Sequence, residues 1–432
     1  MRKNIHGRIT LTSKGDGYVR LNEEHEKIDP AFVKNESVFI DHEHLNCALH
    51  GDTVEVEVLG KNKDQKTGED IFYGKVSEIL ERAKYAHAGK LEEDNGVFFL
   101  IPDDKKTYTD FIVKKENALG AEAGDKVMVE ILNWDDHKKS PFAKVIKVLG
   151  KPGDNNAEVL AFALERGFSD EHSDVVEAEA EEIHKRGIID EDKVINDNGI
   201  DGRRDFRNIT TFTIDPADAK DFDDALSFKK LDNGNVEVGI HIADVSYYLK
   251  DKMKMDDEAI FRETSVYLVD RTIPMLPEVL SNDLCSLVEA KDRLVMSAVF
   301  ELNQNSEVLN AWYGRSIINS NKRFTYEDAQ ESLDNPSGLY HEELTILNSL
   351  AKNLAKKKIA DGALVIESEE VKFKLDENGV PVDVYVKEMK DTNKLIEEFM
   401  LLANRNVSQF IHDEEIKTNN ADISVYRVHD KP

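Results

Sequence analysis

A cluster of aspartates in residues 213–227, TIDPADAKDFDDALS, constrains this chain more than any other stretch. It lies between the β-rich segment 209–214 and a segment whose Asn233-Gly234 pair favours a tight hairpin turn. Carboxylates that crowd together raise one another's pKa values, and a hard divalent cation coordinated by oxygen removes that penalty. Two such cations about 3.5 to 4 Å apart are the usual means of binding the attacking and leaving oxygens of a phosphodiester. The five aspartates are Asp215, Asp218, Asp221, Asp223 and Asp224.

The aspartate cluster has two possible explanations other than a metal site. Aspartates are common in ordinary surface turns because they cap and hydrogen-bond the local backbone. A calcium loop of the EF-hand type would need Gly at its sixth position and Glu at its twelfth. Counted from Asp215, those positions are Lys220 and Leu226, which excludes the EF-hand.

The spacing D-x5-D-x-D-D resembles the signature of the RNase II / RNase R family of 3′-to-5′ exoribonucleases. It falls on Asp215, Asp221, Asp223 and Asp224, and Asp218 lies outside it. Further motifs resemble the same family in the same order. They are GIHIADVS at 239–246, TSVYLVDRTIPMLPEVLSNDLCSL at 264–287, KLIEEFMLLAN at 394–404 and YRVHDKP at 426–432.

The resemblance implies a hydrolytic, processive exoribonuclease that releases nucleoside 5′-monophosphates. It implies that the four aspartates are catalytic and hold Mg²⁺. It also implies that Tyr267 stacks on the terminal nucleotide and that Glu397 or Glu398 contacts it, and the spacing does not choose between the two glutamates. His241 is expected to be structural or to support the metal ligands, because metal-assisted hydrolysis needs no imidazole.

Residues 1–84 and 85–150 each predict a small barrel of short alternating strands. The segment ALHGDTVEVEVL at 48–59 returns as AEAGDKVMVEIL at 121–132, which indicates an internal duplication. The first barrel resembles cold-shock domains, which implies that Tyr18 and Phe39 stack on RNA bases and that Arg20 contacts phosphate. Aromatic residues in strands are, however, more often core than binding platform. In the second barrel, Phe98 or Phe99 is expected to face a base.

Residues 151–205 predict a helical connector packed on the catalytic domain. The resemblance implies that residues 206–432 are the catalytic domain of that family, the RNB exoribonuclease domain. The fold class is thus multidomain, β-rich and α+β, with two tandem OB-type barrels followed by a partial α+β catalytic domain. Two departures from the family pattern are expected to matter. Ile366 stands where the family often has an aromatic partner for the stacking tyrosine. The sequence also stops at Pro432 inside a family motif, before an expected active-site arginine and a C-terminal OB-type domain, as in a fragment or truncated reading frame.

The net charge of the chain argues against one class of function, non-specific binding along nucleic acid. Lys plus Arg number 57 and Asp plus Glu 86, so the net charge is −29, the wrong sign for passive coating of nucleic acid. Basic residues would have to be concentrated in a channel. No signal peptide and no run of about 18 apolar residues is present, and two cysteines exclude a disulfide framework, so we expect no membrane association and a cytoplasmic protein.

The expected partners are single-stranded RNA 3′ ends, structured RNA, and the ribosome or the RNA-decay machinery, and the expected state is a monomer. An RNA-binding or chaperone module with an incomplete, inactive nuclease site is the alternative function. A protein-interaction scaffold with an acidic surface is a third hypothesis. Divalent-dependent turnover distinguishes the first hypothesis from the other two.

Overall fold

The computed structural model describes residues 3–21, 37–63, 70–187, 203–364, 370–377 and 379–418. The motif at 426–432 and the predicted position of Ile366 lie outside the described residues. The chain divides into two compact units, 1–170 and 171–432. In the described ranges no helix has both the length and the apolar character needed to span a membrane.

The first unit begins with a closed barrel in the order β1-β2-β3-β5-β4. Its strands alternate buried and outward side chains with the period of two that a half-buried strand requires. On β3, for example, Val38 and Ile40 are buried in the barrel while Phe39 points outward. The strands are β1 (Lys3–Leu11), β2 (Gly17–Leu21), β3 (Ser37–Ile40), β4 (Thr53–Lys63) and β5 (Asp70–Glu81).

A second closed barrel follows in the order β10-β8-β7-β6-β9, which is the same topology. The internal duplication seen in the sequence is therefore a duplication of the fold, and the prediction of two tandem OB-type barrels is confirmed. The strands are β6 (Ala86–Asp94), β7 (Val97–Pro102), β8 (Phe111–Val113), β9 (Lys126–Asn133) and β10 (Phe142–Gly150).

Helix α1 (Asn155–Leu164) packs against the second barrel and not, as predicted for the connector, on the catalytic domain. The second helix of the predicted connector, Asp174–Arg186, does pack within the second unit. The α1 residues Ala157 and Leu160 contact a small apolar patch that includes Met128 of β9. The reason is the short turn that joins β10 to α1. Gly153 has a φ of 85°, so the chain turns back at once and lays the apolar stripe of the helix on the strand it has just left.

The second unit is built on a seven-stranded sheet in the order β11-β18-β17-β14-β13-β12-β19. Pairs β11–β18 and β12–β19 are parallel and the others are antiparallel. The strands are β11 (Arg204–Asp205), β12 (Thr210–Asp215), β13 (Asp224–Lys230), β14 (Val236–Ala243), β17 (Asp292–Leu302), β18 (Val308–Asn319) and β19 (Lys322–Thr325). Two hairpins stand apart from the sheet, β15 (Val266–Tyr267) with β16 (Thr272–Ile273), and β20 (Val371–Leu375) with β21 (Pro381–Val386).

Helices cover both faces of this sheet. One face packs its apolar residues, such as Leu226 and Phe300, against α5, α6 and α7, where Phe399 is fully buried. The other face, which includes Ala225 and Val299, packs against α2, α4 and a π-helical turn at Val279–Leu284. The remaining helices are α2 (Asp174–Arg186), α3 (Val245–Tyr248), α4 (Lys254–Arg262), α5 (Tyr326–Asp334), α6 (His341–Ala360) and α7 (Asp391–Thr418).

His241 lies fully buried in the middle of the sheet. Its two ring nitrogens lie 2.7 Å from the hydroxyl of Ser297 and 2.8 Å from that of Ser227. Burial lowers its pKa to about 3, with the charge of Arg204 as a smaller cause, so the ring is neutral at physiological pH. The ring needs Gly239 beside it, because a Cβ at that position would lie 2.6 Å from His241 Nε2. These contacts give His241 a structural role in the sheet.

Candidate active site

The aspartate cluster occupies the loop between the end of β12 and the start of β13. These two strands pair only from Thr210 to Phe212, and they separate beyond that point. Asp215 ends β12, where it lies opposite Thr325 of β19. Asp224 begins β13, where it lies opposite Ile242. The intervening residues 216–223 form a loop at this end of the two strands. The fold therefore places the predicted acids on this loop and at the strand ends beside it.

The carboxylates in this loop perturb one another. Asp215 is 8% exposed, and its Oδ2 is buried with no hydrogen-bond partner among the described residues. Burial, and then the charge of Asp224, raise the pKa of Asp215 to about 7. Burial and the charge of Asp223 raise the pKa of Asp224 to about 6. Desolvation, and then the charge of Asp221, raise the pKa of Asp223 as well. Asp218 is exposed and is not among these perturbing charges.

An unpaired buried oxygen and mutually raised pKa values are the properties of a site that a cation would stabilise. Oxygen donors of this kind suit a hard divalent ion. Within the described residues, no three His, Cys, Asp or Glu side chains are near enough to one another to hold a metal ion as they stand.

Tyr267 extends from the β15–β16 hairpin to this loop. Its hydroxyl donates a 2.9 Å hydrogen bond to Asp221 Oδ2. Burial, this hydrogen bond and the charges of Asp221 and Asp223 raise its pKa to about 12, so the phenol stays protonated. The side chain is nevertheless 67% exposed. The hydroxyl is anchored to the acid cluster while much of the ring remains open to a ligand.

The two candidate glutamates differ in their surroundings on α7. Glu398 is 7% exposed and pairs with Lys358 of α6. Glu397 is half exposed and lies 3.4 Å from the same lysine. The start of α7 is tied to Tyr326, whose carbonyl accepts a 3.0 Å hydrogen bond from the Thr392 hydroxyl.

Three residues near the loop were missed by the sequence reasoning. Burial, and then the charges of Asp215 and Asp224, raise the pKa of Tyr326 to about 12, which shows that Tyr326 lies close to the acids. The Ser286 hydroxyl and the Arg323 guanidinium bond to backbone groups of the loop. Ser286 belongs to the family-like motif at 264–287, but no function was predicted for it. Arg323 lies in none of the motifs that were recognised in the sequence.

A second group of predicted residues meets on the outer face of the first barrel. Tyr18 and Phe39 are cross-strand neighbours, and their rings lie 5.5 Å apart in an edge-to-face arrangement. Tyr73 of β5 lies beside Phe39 on the next strand and was missed. Arg20, also exposed, lies opposite Arg8 of β1. The three aromatic rings and the two arginines therefore share one outward surface.

In the second barrel the structure distinguishes two candidates that the sequence left open. Phe98 is 7% exposed and belongs to the barrel core. Phe99 alternates to the outer face, where it lies opposite Ile112 of β8. Phe99 is thus the residue of the two that is able to face a ligand.

Comparison with known proteins agrees with this architecture. Residues 203–432 match the RNB domain, residues 99–173 a cold shock domain, and residues 7–72 the ribonuclease B OB domain. The chain is 39% identical over 405 residues to Ribonuclease R of Thermotoga maritima, covering 92% of this chain and 54% of that protein. It is 33% identical over 413 residues to the Exosome complex exonuclease RRP44 of Mus musculus, covering 86% of this chain and 42% of that protein.

The fold is also similar to that of Mycoplasma genitalium RNase R, solved in complex with ribose-methylated single-stranded RNA. The TM-score is 0.80 at 25% sequence identity, covering 95% of this chain and 62% of that one. The chain thus spans about half the length of the curated relatives it matches.

Proposed function

The chain belongs to the RNB family, and from this we propose that it is a hydrolytic, processive exoribonuclease that shortens RNA from the 3′ end to nucleoside 5′-monophosphates. The observation that carries the proposal is the aspartate loop. It combines an unpaired buried oxygen on Asp215, raised pKa values on Asp215, Asp223 and Asp224, and an exposed tyrosine ring anchored to Asp221. Hydrolysis of the last phosphodiester of an RNA needs acids that can bind metal ions, and an aromatic ring beside them can stack on the terminal base.

Asp215, Asp221, Asp223 and Asp224 are the residues that would hold divalent cations, and Mg²⁺ is the ion we propose. The chemistry that Mg²⁺ supplies in such sites is activation of water and stabilisation of charge on the leaving oxygen. The chain's own contribution is to fix the carboxylates. Asp215 and Asp224 are held by their strands, and Asp221 is held by the Tyr267 hydroxyl.

Tyr267 and the glutamates of α7 would position the terminal nucleotide. Stacking on the exposed Tyr267 ring is tolerant of sequence, because every base has a π-face. The two glutamates differ in accessibility, since Glu398 is buried and paired with Lys358 whereas Glu397 is half exposed. A nucleotide could reach Glu397 without displacing that ion pair.

The first barrel would bind RNA through Tyr18, Phe39 and Arg20. The substrate we propose is single-stranded RNA with a free 3′ end, with structured RNA as a further substrate. This accords with the single-stranded RNA bound to the similar RNase R of Mycoplasma genitalium. We propose a cytoplasmic monomer that acts with the RNA-decay machinery, and the buried free thiols of Cys47 and Cys285 accord with a reducing compartment.

The test is incubation of the chain with a 5′-labelled single-stranded RNA, with and without Mg²⁺. We expect a Mg²⁺-dependent ladder that shortens from the 3′ end. Asp223→Asn should abolish shortening and leave RNA binding largely intact. Asp218→Asn is the matched control, because this aspartate of the same loop is exposed and lies outside the motif.

Two outcomes would contradict the proposal. Binding without any shortening would favour the alternative, an RNA-binding module with an inactive nuclease site. Equal loss of binding and cleavage in Asp223→Asn would argue that the loop binds RNA and does not act on it.

A further inference from the structure

The aspartate loop, residues 216–223, brings like charges together without any helix or strand to hold its backbone. It carries Asp221 and Asp223 between the strand ends that bear Asp215 and Asp224. Like charges at short range repel one another. Without bonds from outside the loop, this repulsion would favour an open loop in which the carboxylates separate. The structure contains two such external supports.

The first support is Ser286, which is fully buried beside the centre of the loop. Its hydroxyl donates a 2.8 Å hydrogen bond to the Lys220 carbonyl and accepts a 3.0 Å hydrogen bond from the Phe222 amide. The Phe222 carbonyl in turn accepts a 2.9 Å hydrogen bond from the Leu287 amide. Both backbone groups of Phe222 are therefore bonded, which fixes the residue that separates the side chains of Asp221 and Asp223.

Ser286 is itself held in place by Arg293 of β17. The Arg293 Nε donates a 2.8 Å hydrogen bond to the Ser286 carbonyl. The same guanidinium donates a 2.7 Å hydrogen bond to Asp283 in the π-helical turn. Arg293 lies on β17, a central strand of the same sheet that contains β13. Its bond therefore fixes the position of Ser286 relative to β13, which begins at Asp224.

The second support is Arg323 of β19, at the start of the loop. Its Nη2 donates hydrogen bonds of 2.6 Å to the Pro216 carbonyl and 3.1 Å to the Ala217 carbonyl. Its guanidinium carbon lies 5.2 Å from the centre of the Phe222 ring, so it contacts the same residue that Ser286 holds. A guanidinium suits this role because each terminal nitrogen carries two N–H donors, so that Nη2 alone bonds both carbonyls.

We propose that Ser286 and Arg323 are positioning residues that hold the backbone of loop 216–223 beside the ends of β12 and β13, where its carboxylates are available to divalent cations. Ser286 acts through the loop backbone. Arg323 bonds the same backbone, and its charge also acts on Asp215. Neither is proposed to touch the substrate. This inference rests on the proposed function, because it assumes that the loop binds metal. It adds two residues, 286 and 323, that lie far from the aspartates in the sequence.

The experiment measures Mn²⁺ binding to the full chain from the electron paramagnetic resonance signal of free Mn²⁺. Asp223→Asn establishes that the binding belongs to the loop. In Ser286→Ala, the Phe222 amide and the Lys220 carbonyl lose their buried partner, and we expect the Mn²⁺ dissociation constant to rise about tenfold, a typical effect of an unsatisfied buried group. RNA cleavage should show a fall in kcat with little change in KM, because RNA contacts are not altered.

Ser306→Ala is the matched control. Ser306 is also a buried serine whose hydroxyl donates to a backbone carbonyl, that of Leu350, at 3.0 Å. It follows β17 at the end of the sheet away from the aspartate loop, because Leu302 pairs with Val236 whereas Asp224 pairs with Ile242. Its removal should leave Mn²⁺ binding unchanged.

An unchanged Mn²⁺ dissociation constant in folded Ser286→Ala overturns the inference. If thermal melting shows that Ser286→Ala does not fold, Arg323→Lys decides, because it keeps the positive charge beside Asp215 but replaces the guanidinium that bonds the Pro216 and Ala217 carbonyls. An unchanged dissociation constant in that variant overturns the inference. An equal rise in Ser306→Ala also overturns it, since the effect would then be general destabilisation. A wild-type chain that binds no Mn²⁺ overturns the proposed metal site itself, and this failure is recognised because it appears before any variant is compared.

Discussion

The Asp215 carboxylate ends a strand with one oxygen buried and unpaired, and its pKa is raised to about 7. Asp224, at the start of the neighbouring strand, has its pKa raised to about 6. A carboxyl group in an unfolded chain titrates at about 3.9. Between about pH 4 and 7 the folded chain therefore binds more protons than the unfolded chain. The free energy of unfolding from this source is greatest below about pH 4 and falls as the pH rises through 6 and 7.

This dependence predicts how a single substitution changes the pH profile of stability. In the absence of divalent cations, the melting temperature of the wild-type chain should fall relative to that of Asp215→Asn between about pH 4 and 7 and then level off, because asparagine has no proton to lose. The difference is on the order of 1.4 kcal/mol for each unit of pKa shift. Asp218→Asn should follow the wild type. Parallel profiles for wild type and Asp215→Asn would contradict the raised pKa.

At the scale of elements, the outer face of the first barrel is a row of neighbouring rings on three strands. Tyr18, Phe39 and Tyr73 lie side by side on β2, β3 and β5. The second barrel has a row at the same register on its equivalent strands, made of Phe99, Ile112 and Phe142. The duplication therefore extends from the strand order to the outward side chains, which the alternation of each strand directs away from the core.

Removal of these rings should weaken RNA binding. Base stacking on an aromatic side chain contributes about 1–3 kcal/mol. Tyr18→Ala and Phe39→Ala should each raise the dissociation constant for a single-stranded oligonucleotide about tenfold, measured by fluorescence anisotropy without divalent cations. Phe261→Ala is the control, because this ring on α4 is 79% exposed and belongs to neither row. Unchanged affinity in both barrel variants would mean that this face does not bind RNA.

At the scale of the whole molecule, the net charge of −29 acts on stability and on RNA binding in different ways. Excess like charge destabilises a compact state by self-repulsion, and salt screens that repulsion. Binding of RNA through a local group of cations such as Arg8 and Arg20 is weakened by salt.

We therefore expect opposite effects of added NaCl on the two properties. Between about 0.05 and 0.5 M salt, the melting temperature of the metal-free chain should rise, because the Debye length falls below about 10 Å. The affinity for RNA should fall over the same range, and Arg20→Met should reduce the slope of log affinity against log salt by about one. An affinity that does not depend on salt would argue against phosphate contacts on the barrel.

Much of the architecture followed from local patterns in the sequence. The D-x5-D-x-D-D spacing identified the loop that the structure builds from β12 to β13, and the repeated Gly-Asp strand pattern predicted two barrels of one topology. Such features are readable because strand alternation, turn residues and motif spacing are properties of a few consecutive residues. His241 was predicted to be structural on chemical grounds, and it is buried between two serines.

Other features depended on which distant segments the fold brings together. Ser286 lies 64 residues from the Phe222 amide that it holds, and Arg323 lies 107 residues from Pro216. The choice of Phe99 over Phe98, and the packing of α1 on the second barrel, depended likewise on strand register and on the surface a helix meets. The periodic pattern of apolar residues in the sequence does not predict such contacts, because they arise from the order of strands in a sheet. The sequence thus indicated which aspartates form the candidate site, and the tertiary structure decided which distant residues bond the loop that carries them.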